Sequence, residues 1–233
     1  MSKQEHFHRR LLEHRGGLFA VLVTVAISVG GLVEIVPMYS ATAGPQELEG
    51  VTPYTPLELA GRDIYVREGC YNCHSQMIRP FRAETLRYGE WSRAGEYVYD
   101  RPFQLGSRRI GPDLMRIGGK YPDAWHYEHM RDPRSTSPGS IMPPYPWLLE
   151  DSWDPDDVAA TVAAMETLGV DMSAIALSPE DQAAAIVERL AASGIQTSPD
   201  REIVALIAYL QRMGVDGRVA LSSDGAASAE ESR

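Results

Sequence analysis

The sequence has only two cysteines, Cys70 and Cys73, three residues apart. A disulfide scaffold uses more cysteines at wider spacing, so the chain is not built that way. Basic residues are also in short supply. Lys and Arg number 22 against 32 Asp and Glu, giving a net charge of −10. Nucleic-acid binders neutralise phosphates with basic patches, and this balance argues against that class. No internal repeat is evident. Between Arg15 and Arg62 there is no Lys or Arg at all.

What is present begins with a length of 233 residues, 44% of them hydrophobic. That allows one globular domain with appendages, or two small domains. One apolar run stands out: Leu18 to Val36, 19 residues whose only charge is Glu34. As a helix it spans about 28 Å, close to one hydrocarbon core. Lys3, Arg9, Arg10 and Arg15 precede it. The positive-inside rule then places residues 1–16 in the cytoplasm and everything after a 17–38 anchor on the outer side. Ala41-Thr42-Ala43 resembles a signal-peptidase site, but a signal core is usually shorter than this run. Both alternatives send the main domain across the membrane.

Residues 39–55 have the Pro, Gly and Thr content of a linker. Pro56 then suits the first turn of a helix capped by Thr55, and Cys70-Tyr71-Asn72-Cys73-His74 follows it. From Ile78 to Ile110 the chain is polar and irregular, with Arg79, Arg82, Arg87, Arg93, Arg101, Arg108 and Arg109 against four acids. Further helices are expected at Ala124–Met130, Asp156–Leu168, Pro179–Ala192 and Arg201–Met213. The tail, 216–233, is small, polar and expected to be disordered.

The Cys-x-x-Cys-His pattern carries the chemistry. Two thiols can add to the two vinyl groups of a haem, and an imidazole immediately after the second cysteine can bind its iron. Three rivals compete. A thioredoxin-like redox pair expects a surrounding βαβ pattern, which is absent. A zinc site needs four ligands, and His126 and His129 lie far along the chain. Two buried structural cysteines have no use for His74. A haem electron carrier gains from a thioether as sixth ligand, because it raises the reduction potential. Seven methionines follow the motif, and Met142 stands apart in the proline-stiffened loop Ser140-Ile141-Met142-Pro143-Pro144-Tyr145. His126 and His129 are the alternative ligands. The other ring nitrogen of His74 needs an acceptor, and the Pro112 carbonyl in Gly111-Pro112-Asp113-Leu114 is the candidate.

The stretch from Gly69 to Leu148, including HSQMIRPFRAETLRYGEWSRAGEYVYD and GSIMPPYPWL, closely resembles the mono-haem cytochrome c subunit (CcoO or FixO) of cbb3-type cytochrome c oxidases. The anchor stretch VGGLVEIVPMY resembles the same family. The resemblance implies a mainly α chain: one N-terminal transmembrane helix, then a class I cytochrome c domain over 56–215 with an irregular Arg-rich insertion. In that fold the first and last helices cross, here near Gly61 and Ala205. It implies one covalently bound haem c on Cys70 and Cys73, with His74 and Met142 as axial ligands and the Pro112 carbonyl supporting His74. It implies as partners a catalytic haem–copper oxidase subunit and a di-haem cytochrome c subunit, in a bacterial inner membrane with the haem domain periplasmic. The chain is then a redox subunit with no catalysis of its own, relaying electrons to the low-spin haem b. The arginines of 78–110, Arg108 and Arg109 above all, are expected to dock onto the large subunit. Ser107 is a candidate for a cation site at that boundary. Residues 150–195 depart from the family pattern. The other functions considered are an anchored cytochrome serving an enzyme such as nitric oxide reductase, and a free-standing haem sensor.

Overall fold

The computed structural model describes residues 9, 14–39, 45, 47–173, 175 and 177–218. It divides into two units, Met1–Gln46 and Glu47–Arg233. Among the described residues the chain is helical, with one isolated bridge between Ser152 and Arg201 and no strand.

The first unit contributes α1, Gly16–Tyr39, 24 residues long. Its Val, Leu and Ile side chains are exposed around the helix, Val21, Ile27 and Val33 among them. A helix apolar on every side has no polar face to give to water, so it suits hydrocarbon. The segment Gly16–Pro37 is long and apolar enough to cross a membrane. Ala41-Thr42-Ala43 and most of 1–16 lie outside the described residues.

The second unit opens with α2, Pro56–Arg67. Thr55 and Glu58 form the reciprocal cap expected at such a start: the Glu58 N–H donates to Thr55 Oγ1, and the Thr55 N–H donates to Glu58 Oε2 at 2.8 Å. The Arg-rich segment contains α3 (Arg82–Tyr88), and after it come α4 (Asp123–Arg131), the short α5 (Pro133–Thr136), α6 (Pro155–Thr167), α7 (Pro179–Ala192) and α8 (Glu202–Arg212). Helix α8 is buried from Glu202 to Leu210, on all faces rather than one. It lies in the middle of the unit, wrapped by α2, α4 and α7. Each fully buried Leu or Ile stabilises the fold by roughly 1.5–3 kcal/mol, and α8 supplies Ile203, Leu206, Ile207 and Leu210.

Residues 150–195 form α6 and α7, capped by Asp154 and Ser178. Both pack on α2, and α7 also packs on α8. Thr55 donates to Gln182 of α7 at 2.6 Å. The tract therefore extends the helical core.

Two boundaries differ from expectation. The end of the linker belongs to the folded unit: Val51 is buried, and Tyr54 packs edge-on against Tyr209. The start of the tail is also tied down. Asp216 accepts from the Thr52 N–H at 2.9 Å and pairs with Arg212, and Arg218 donates to the Gly118 carbonyl at 2.5 Å. The contacts of the tail are polar, so its low hydrophobicity gave no sign of them. Residues 219–233 lie outside the described residues.

The helices α2 and α8 touch backbone to backbone. A Cβ built on Gly61 would lie 2.0 Å from the Ala205 carbonyl oxygen and 2.9 Å from Tyr209 Cβ. At an open helix site, Gly→Ala stabilises by about 0.5–1 kcal/mol. Here the sign inverts: Gly61→Ala is expected to cost about 3 kcal/mol through overpacking. Urea denaturation of the detergent-solubilised chain, followed by circular dichroism, checks this. A raised midpoint contradicts the close crossing.

Candidate functional site

The site grows from the end of α2. The helix stops at Glu68, and Cys70–Asn72 forms a single tight 3-10 turn. The His74 N–H donates to the Cys70 carbonyl at 2.9 Å, so thiol, thiol and imidazole share one compact turn. Cys70 is half-buried and Cys73 exposed, and both are free. Burial, with Glu68 nearby, pushes the Cys70 thiol up to about 12. That is the reverse of an activated thiolate, and it argues against a thiol redox centre.

Opposite the turn runs the segment 110–114. The Gly111 N–H donates to the Cys73 carbonyl at 3.0 Å and the Leu114 N–H to the Ser75 carbonyl at 2.8 Å. Between them, His74 Nδ1 lies 2.8 Å from the Pro112 carbonyl oxygen. A carbonyl only accepts, so Nδ1 carries the proton and Nε2 keeps a free lone pair. Burial lowers the His74 pKa, which favours the neutral ligand form, although the Pro112 carbonyl works the other way. A Cβ on Gly111 would sit 2.3 Å from the imidazole ring, so a larger residue there would displace the ring.

These residues face a cavity of about 720 Å³. Its size lies within the range of small-molecule and cofactor pockets. Tyr65 of α2, Leu206 and Leu210 of α8, Ile117, and Trp125, His126, His129 and Met130 of α4 line it, as does the loop 137–143 with Met142. Met142 is half-buried, and its N–H is held by Ser140 Oγ at 3.2 Å. Cys70, Cys73, His74, Pro112 and Met142 thus border one cavity.

The two histidines of α4 border it too. They are remote in sequence but not in space, because α4 packs across α8. His126 is 1% exposed, and burial drives its pKa down to about 4. His129 stacks on Trp125, and its Nδ1 lies 2.6 Å from Thr136 Oγ1. Among the described residues no three His, Cys, Asp or Glu side chains are grouped to hold a metal ion, so the zinc reading has no cluster to rest on.

The residues fit a haem. The cavity is mostly apolar, as a macrocycle requires, and one imidazole presents a free lone pair. Tyr65 and His126, two of its lining residues, each carry a buried polar atom, Oη and Nε2, with no hydrogen-bond partner among the described residues.

The arginine-rich segment divides. Arg79 and Arg109 bind Glu84, and Arg109 is 20% exposed, turned inward rather than outward as expected. With its charge already paired inside the unit, Arg109 is not a free docking group. Arg87 and Arg93 lie over the rings of Tyr88 and Trp91. Arg82, Arg101, Arg108 and Ser107 are exposed. The segment is fastened to α2 by a buried pair, Arg62 Nε to Asp100 Oδ1 at 2.7 Å.

Comparison with curated proteins gave no match. A family model described as cytochrome c oxidase, mono-heme subunit/FixO, matches residues 8–216, which takes in α1, the cavity and all of α8. The chain, with an apolar helix fit for a membrane and a pocket fit for haem, belongs to the FixO family of mono-haem cytochrome c oxidase subunits.

Proposed function

We propose that the chain is the electron-relay subunit of a cbb3-type terminal oxidase. It would take electrons from a di-haem or soluble cytochrome c and pass them to the low-spin haem b of the haem–copper subunit. The observation that carries this is the meeting of Cys70, Cys73, His74 and Met142 on one cavity in a chain of the mono-haem family.

Bound there, a haem c supplies a one-electron Fe(III)/Fe(II) couple. Cys70 and Cys73 would anchor it through two thioethers, each S–H adding across one vinyl C=C so that sulfur and hydrogen each take one of its carbons. No oxidant or reductant is consumed. His74 would offer Nε2 to the iron while its Nδ1–H stays on the Pro112 carbonyl, which would make the imidazole a stronger donor. Met142 would offer its thioether from the loop 137–143, and a thioether favours the reduced state. Met130 of α4 and Leu206 and Leu210 of α8 would help to keep water away from the iron. Oxygen chemistry and proton pumping belong to the partner subunit.

The anchor α1 holds the unit at the membrane. The N-terminus would lie in the cytoplasm and the haem domain on the periplasmic side of a bacterial inner membrane, a reading supported by the basic residues before the anchor. Arg82, Arg101 and Arg108, together with exposed Phe81, Leu86, Phe103 and Ile110, offer a mixed cationic and apolar face to the large subunit.

Purification of the native membrane complex tests the assignment. The partner should contain copper, whereas non-haem iron without copper would overturn the oxidase reading. Met142→Ala is expected to abolish the thioether-to-iron charge-transfer band at the red edge of the ferric spectrum. Survival of that band would show that another group, with His129 and His126 the first to test, is the ligand.

A further inference from the structure

His74 and Pro112 lie in two segments without regular structure, so no helix or strand sets their spacing. A buried polar cluster does. The Asp113 side chain is 0% exposed. Its Oδ2 accepts from Ser75 Oγ at 2.6 Å and from the Met77 N–H at 2.9 Å, and its Oδ1 accepts from the Met115 N–H at 2.9 Å. Ser75 and Met77 follow the histidine, and Asp113 follows the proline. One carboxylate therefore ties together the two strands of chain that hold imidazole and carbonyl.

Arg109 closes the cluster from outside. Its Nε donates to Ser75 Oγ, and its Nη2 donates to the Met77 carbonyl at 2.9 Å and to Glu84 Oε2 at 2.8 Å. Nη2 also lies 3.4 Å from Asp113 Oδ2. Glu84, on α3, accepts from the Arg79 N–H at 2.9 Å. Burial opposes ionisation of Glu84, but Arg109 and Arg79 hold its carboxyl down at about 2. The planar guanidinium spans the site and the Arg-rich segment at once, a geometry that an ammonium lacks.

We propose that Asp113 and Arg109 are positioning residues that hold the His74 ring against the Pro112 carbonyl and so set the donor strength of the imidazole toward iron. The proposal rests on His74 being the iron ligand. A ligating histidine gains basicity from the acceptor on its other nitrogen, and that bond weakens steeply with distance and angle. Loosening the clamp makes His74 a poorer donor, which favours the ferrous state and raises the reduction potential.

The test compares Asp113→Asn and Arg109→Gln in the haem-loaded full chain purified in detergent. Charge alone predicts opposite shifts: losing an anion raises the potential, and losing a cation lowers it. The clamp predicts an upward shift in both, with altered ferric electron-paramagnetic g-values and undiminished covalent haem. A potential that falls or stays put in Arg109→Gln, with an unchanged ferric spectrum, overturns the proposal. If Arg109→Gln does not accumulate, Arg109→Lys takes its place. It keeps the charge but not the fork, so an upward shift supports the clamp and an unchanged potential overturns it. A wild-type chain without haem would instead defeat the ligand assignment beneath the proposal.

Discussion

The close crossing of α2 and α8 at Gly61 is the contact on which the rest of the second unit depends. It brings Tyr65 of one helix and Leu206 and Leu210 of the other onto a common wall of the cavity. It also fixes where α2 ends, and the Cys70–Asn72 turn begins three residues beyond that end. A displaced crossing would move both thiols and the imidazole relative to the cavity they face. The aromatic set Tyr54, Tyr65 and Tyr209 locks the crossing from the side, with rings edge-on at 5.4 and 5.7 Å.

Around that apolar centre the chain uses charge structurally. Arg62 with Asp100, and Arg116 with Glu96, are nearly buried pairs that fasten the Arg-rich segment to α2 and to the turn that follows the segment 110–114. Removing one partner of such a pair strands the other, at a cost of about 3–5 kcal/mol. Arg82, Arg101 and Arg108 are exposed, and the same stretch of chain carries the exposed apolar side chains Phe81, Leu86, Phe103 and Ile110. One segment thus serves both the inside of the unit and its outer face.

Much of this was legible in sequence because it is local. The Thr55–Glu58 cap, the apolar spacing of α8 and the five-residue motif at Cys70 each announce themselves within a few positions. The membrane run needed only length and hydropathy. What sequence hid was non-local and polar. Nothing near Asp113 says that its carboxylate meets Ser75 and Met77, and nothing near Arg109 says that it turns inward to Glu84. His126 and His129 seemed distant from the cysteines because α4 follows them by some fifty residues, yet packing on α8 returns them to the same cavity. Met142, in its proline-stiffened loop, and Pro112, in the Gly111–Leu114 turn, were candidates on local pattern, and the family resemblance pointed to the same two residues.

The central claim is that Cys70 and Cys73 hold a haem by two thioethers. Mass spectrometry of the mature chain, digested to release the peptide around residues 68–78, reads this directly. The account predicts that peptide carrying the mass of one intact haem, with neither cysteine available to a thiol reagent. A peptide of unmodified mass, with both thiols free or joined in a disulfide, would contradict it.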